Sequence, residues 1–160
     1  MNEASLKILK DEIGAGIDAV SKVMARAEAA ALRKGAQVLK KNTKSNLKST
    51  GIRIGVNPLY IDKLSDGVMS SKVKEGSIIV HVMGTRKKGS GTFRLRFFEG
   101  GTKERYQKTW KGKKLKVPRR LGHIKAYGFF NSAVSSSTDE VMKAMNEQLT
   151  KYIEKAWNNG

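Results

Sequence analysis

Apolar positions recur at spacings of three and four along the first third of the chain. Leu6, Leu9, Ile13, Ile17, Val20, Met24, Ala27 and Ala31 fall on one helical stripe. Alanine, the best helix former, is dense from Ala25 to Ala36. The spacing predicts a helical segment over about 3–42, fading near Lys41-Asn42-Thr43. Gly14 and Gly16 are expected to divide it into a short arm and a longer rod. A stripe of small residues lets another backbone approach closely. That backbone belongs either to this chain's own sheet or to a neighbouring subunit.

The period then changes to two. Ile52, Ile54 and Val56 alternate, and Asn57-Pro58 follows as a turn. Ser77–Met83 is rich in β-branched residues, with Ile78, Val80 and Val82 facing one way and Ile79, His81 and Met83 the other. In Thr92–Glu99, read as a strand, Phe93, Leu95, Phe97 and Glu99 share a face. Gly84–Gly91 lacks the spacing of a phosphate-gripping loop and reads as the tip of a long hairpin between these two strands. Helical spacing returns with Val141, Met145, Leu149, Tyr152, Ile153 and Ala156, and Ser137 stands at capping-box distance from Glu140. The preceding Tyr127–Val134 is either an earlier turn of that helix or a separate anchor.

These elements predict one α+β domain over residues 1–160. Its parts are the long N-terminal helix, a central antiparallel β-sheet with long basic loops over about 51–125, and a C-terminal amphipathic helix over about 127–157. No run of about 18 apolar residues occurs, so no membrane span is expected. The N-terminus lacks the shape of a secretory signal, and the chain has no cysteine, which excludes disulfides and thiolate metal sites. The expectation is a chain made and used in a reducing cytoplasm, or in a particle assembled there.

Charge alters the picture most. The net charge is +18, from 32 basic and 14 acidic residues, and residues 84–125 hold 15 of the basic and only 2 of the acidic ones. Arg86, Lys87 and Lys88 sit at one loop tip. Lys103, Arg105, Lys108, Lys111, Lys113, Lys114, Lys116, Arg119 and Arg120 occupy a second loop. Such a block seeks a polyanion or an acidic protein surface, or else is a solvated, mobile loop. Tyr106 and Trp110 lie among these cations, either as stacking platforms for nucleic acid or as two anchors of the loop.

Catalytic chemistry finds little support. The candidates are Glu99, Glu104, Asp62, Asp66, His81 and His123, with no carboxylate pair, nucleophile motif or metal-ligand spacing among them. No catalytic residue, metal or cofactor is expected. Glu99, closing an apolar face before Gly100-Gly101, reads as a fastener that accepts backbone N–H groups across a Gly-Gly turn or pairs with an arginine.

The order of these features resembles the tail-completion or neck family of long-tailed double-stranded DNA bacteriophages, the head–tail joining or minor tail components. Phe97-Phe98-Glu99-Gly100-Gly101-Thr102 is similar to that family's aromatic-x-Glu-x-Gly-Thr element. Phe129, Phe130 and Ala133 are similar to its Pro-Phe-(Phe/Leu)-x-x-Ala element, with Gly128 in place of the proline. Ser49-Thr50-Gly51-Ile52 echoes its Thr-Gly-x-Leu element, and the likeness covers about residues 20–157. The resemblance implies a structural virion protein of the neck or tail, assembled in the bacterial host cytoplasm. It would form a homo-oligomeric ring, a hexamer, at the head–tail junction or the top of the tail tube. Its partners would be adjoining connector, tail-terminator or tail-tube proteins, with nonspecific contact to phage double-stranded DNA. Phe129, Phe130 and Ala133 would anchor the last helix or line a subunit interface. The basic loops would face DNA or the adjoining ring. The competing expectation is a monomeric basic nucleic-acid-binding protein.

Overall fold

The computed structural model describes residues 3–52, 64–84 and 92–159, with side chains from residue 14 onward. It is a mixed α+β chain. In order come helix α1 (Glu3–Ser49), the short strands β1 (Met69–Ser70) and β2 (Val80–His81), a 3-10 turn (Thr92–Arg94) and helix α2 (Leu95–Gly100). A hairpin of β3 (Arg105–Trp110) and β4 (Lys113–Gly122) and the helix α3 (Phe129–Asn158) complete it. The chain divides into two compact units. The first holds residues 1–39, 71–79 and 137–160, and the second holds 40–70 and 80–136.

The first unit is built on small residues. Gly16 lies beneath the indole of Trp157, close enough that a Cβ would stand 2.9 Å from the ring. Gly35 lies beneath Met145 and Val141, where a Cβ would meet the Met145 Cγ at 2.7 Å. Ala27, Ala31 and Ala36 are buried on the same helix. The order of these contacts makes the partner stretches of α1 and α3 antiparallel. Gly14 and Gly16 do not break α1, which is continuous from Glu3 to Ser49. A helical glycine costs about 1 kcal/mol, and the packed indole offsets it at Gly16. The stripe is only partly a core, because Ile17 and Met24 remain exposed. Leu6, Leu9 and Ile13 lie outside the described side chains.

In the second unit α1 runs past the expected end near residue 42 to Ser49. It stops where Gly51 takes a φ of 62° and its N–H bonds the Lys48 carbonyl at 3.2 Å. The core here is Leu47, Ile52, Leu64, Val68, Val82, Leu95 and Phe129, with Phe98 and Phe130 packed against it. The expected central sheet is replaced, among the described residues, by two separate two-stranded sheets. Strand β1 pairs antiparallel with β2 through Met69–His81 and Ser70–Val80. The expected strand Ser77–Met83 is thus reduced to two residues, although Val82 is buried and Ile79 and Met83 are exposed, as its alternation requires. Ile54, Val56, the Asn57-Pro58 turn and Asp62 lie outside the described residues, as does the 85–91 loop with Arg86, Lys87 and Lys88.

Two further expectations are overturned. Thr92–Glu99 is not a strand but a 3-10 turn running into α2. Thr92 and Leu95 are buried and Phe98 packs on the core, a spacing of three that fits a helix as well as the alternation fits a strand. A short apolar run satisfies both periods, and the core decides between them. Ser137 does not cap the last helix. Phe129 begins α3, and Ser137 lies two turns inside it, buried. The segment from Phe129 to Val134 is therefore the helix's own first turns.

Candidate functional site

The two short elements that carry the resemblance are 31 residues apart from Glu99 to Phe130, yet they meet. The Glu99 carboxylate accepts the backbone N–H of Phe130 at 2.8 Å through Oε2 and that of Asn131 at 3.0 Å through Oε1. These are the second and third N–H groups of α3, which have no carbonyl partner within the helix. Glu99 thus supplies from a distance what a serine or aspartate N-cap supplies locally. Its negative charge also sits at the positive end of the helix dipole. The sequence reading of Glu99 as a fastener is corrected in its object. It secures the start of a 30-residue helix, not the Gly-Gly turn.

The backbone completes the clamp. The Tyr127 N–H donates to the Phe98 carbonyl at 2.8 Å and the Gly128 N–H to the Glu99 carbonyl at 3.2 Å. Thr102 is latched to Ile124 twice: its N–H donates to the Ile124 carbonyl, and its Oγ1 accepts the Ile124 N–H, both at 2.9 Å. Gly101 has a φ of 70°, which ends α2 and turns the chain toward residues 124–126. A Cβ there would stand 3.0 Å from the Ala126 nitrogen and the Ile124 oxygen. Gly100 has open space around it and no such constraint. Phe129 and Ala133 are buried at 2% and 0% exposure, while Phe130 is half-buried. Phe97 lies under the Arg96 guanidinium, 4.7 Å from the ring centroid, and Phe98 meets Tyr127 edge-on at 6.3 Å.

The region expected to be a long basic loop is the β3–β4 hairpin. Its two-residue tip, Lys111-Gly112, has φ of 47° and 79°, the positive values that a tight hairpin turn needs at both positions. Lys-Gly between Trp110 and Lys113 was the signal for it, obscured by the surrounding lysines. Partnered residues are Tyr106 with Arg120, Gln107 with Arg119, Thr109 with Lys114 and Trp110 with Lys113. β4 carries extra residues between these pairs, around Lys116, Val117 and Pro118. A proline without an N–H is tolerated at such a bulge. Lys103 stands just before the hairpin, exposed.

Tyr106 and Trp110 are 52% and 56% exposed, so neither anchors the segment. At the base, Glu104 holds Arg120 in a two-point fork, Nη2 to Oε2 at 2.9 Å, which raises the Arg120 pKa further above its usual range. Of the remaining candidates, His123 and Asp66 are exposed, and His81 is half-buried in β2 with its Nδ1 covered and without a partner among the described residues. Among the described residues no three of His, Asp and Glu converge on one point, and no helix is long and apolar enough to cross a membrane. No family model matches the chain, and neither does any curated protein or solved structure.

Proposed function

We propose that this chain is a structural subunit of a ring at the head–tail junction, or the top of the tail tube, of a long-tailed double-stranded DNA bacteriophage. In that ring it docks the adjoining connector, tail-terminator or tail-tube proteins and lets DNA pass, with no substrate to turn over. The reading rests on the motif likeness, and one observation supports it most. The two motifs fold into a single clamp in which each residue type has work to do. Glu99 caps α3, Gly101 permits the close approach, Thr102 latches Ile124, and Phe129 and Ala133 are buried. Light scattering on the purified protein, with electron microscopy of the particle that contains it, tests the reading. A multi-copy ring, six in number, is expected at the neck; a single copy per particle overturns it.

A second reading has an observation of its own. A monomeric basic nucleic-acid-binding protein would account for the exposed Tyr106 and Trp110 among cations on β3 and β4. It requires a monomer at every salt and protein concentration, and no place in a particle.

A further inference from the structure

We infer that the β3–β4 hairpin is an arm that lies in a groove of double-stranded DNA and grips phosphates on both sides without reading sequence. The inference rests on the ring reading for the source of the DNA, and it selects DNA over a protein neighbour as the arm's partner.

Shape is the first argument. A two-stranded ribbon is one of the two elements that the major groove, about 12 Å wide, admits. Every residue of the arm except Gln107, Leu115 and Gly122 is exposed, on both faces. With about 3.3 Å per residue, the strands extend roughly 20–30 Å, enough to follow the groove over several base pairs.

Charge distribution is the second. From Arg105 to Gly122 there are eight cations and no carboxylate, and of the eight Arg120 is paired with Glu104 at the base. Alternation and pairing put Lys108 and Lys113 on the face of Tyr106 and Trp110, and Arg105, Lys114 and Arg119 on the other. Lys111 is at the tip. A flat acidic protein surface needs cations on one face only. An element sunk in a groove has a phosphate chain on either side.

The edges are the third argument. One way for a partner protein to join a bare hairpin is to add a strand. The edge of β4 resists that addition, because Pro118 offers no N–H and the register shifts twice along the hairpin. Tyr106 and Trp110 would suit a single strand of nucleic acid. They sit four positions apart on one face only, whereas the cations occupy both.

The test uses the full chain and a 30-base-pair duplex of arbitrary sequence, with affinity measured across a salt series. Removing three cations from one face (Arg105→Gln, Lys114→Gln, Arg119→Gln) should weaken duplex binding at least about tenfold at 0.1 M salt and shallow the log–log salt slope by about 2.7. The pair Lys108→Gln, Lys113→Gln on the opposite face should also weaken it. Removing the same charge from α3 (Lys143→Gln, Lys151→Gln, Lys155→Gln) should change affinity less than about threefold, which separates the arm from net charge. All these side chains are exposed, so unchanged thermal melting will show that folding is intact. Equal losses from the arm and α3 variants overturn the inference. So does tighter binding to the single strand that Tyr106→Ser and Trp110→Ser abolish, or a preference for polyglutamate over duplex at matched charge. Ring formation is scored separately by light scattering. A ring whose duplex affinity ignores the arm variants sinks the arm alone, and arm-dependent binding by a permanent monomer sinks the ring alone.

Discussion

Glu99 uses both carboxylate oxygens, one for each of two neighbouring N–H groups. That detail sets the scale of its substitutions. Glu99→Gln keeps one acceptor and loses the charge, so it should destabilise by about 1 kcal/mol. Glu99→Leu leaves both N–H groups without their acceptor, at a cost on the order of 1–3 kcal/mol. Denaturant unfolding should rank the wild type above Gln and Gln above Leu; equal stability of Leu and wild type would remove the capping role. Phe129 is the neighbouring test. It is 2% exposed within the core of its unit, and Phe129→Ala should cost about 3–5 kcal/mol. Phe130, half-buried beside it, should cost clearly less on the same measurement.

Among the elements, α2 and the β3–β4 hairpin differ most in how they are held. Six residues are too few for a helix to persist by its own hydrogen bonds. Leu95, fully buried, and Phe98 against the core keep α2 in place. The hairpin has no comparable apolar footing, and a lone two-stranded ribbon is marginal in water. Hydrogen exchange should therefore be fast in residues 105–122 and slow in α1 around Leu47 and in α3 around Ala133. Replacing Arg105–Gly122 by a two-glycine turn should change global stability by less than about 1 kcal/mol. A cooperative loss of fold on that excision would show that the hairpin belongs to the core.

For the whole molecule, charge governs assembly. A sixfold ring multiplies the net charge of +18 by six, and the resulting repulsion opposes closure. Raising salt screens it, because the Debye length falls from about 10 Å at 0.1 M to about 3 Å at 1 M. In isolation a monomer or mixed population is expected at low salt, with larger species favoured as salt rises or when an anionic partner is added. Sedimentation across a salt series measures this, and a population that dissociates with added salt would contradict it. Apolar side chains suited to such contacts are exposed on the first unit: Ile17 at 54%, Met24 at 44% and Met142 at 51%.

The sequence alone determined the mixed class, both long helices and the basic stretch between them, because these depend on local period and composition. Helical spacing over more than ten residues is unambiguous, and Ala27, Ala31 and Met145 lie where it puts them. What needed the tertiary structure were choices settled by distant contacts. Thr92–Gly100 fits either period, and burial of Thr92 and Leu95 made it helical. Helix α3 begins at Phe129 although Phe129 has no Ser, Thr, Asp or Asn before it, because its cap is a carboxylate 31 residues upstream of the capped Phe130 N–H. Local pattern cannot show a partner at that separation. Nor could it show that the lysines after residue 102 lie along a paired ribbon, since strand propensity there is masked by charge, and pairing across the Lys111-Gly112 turn is what orders them.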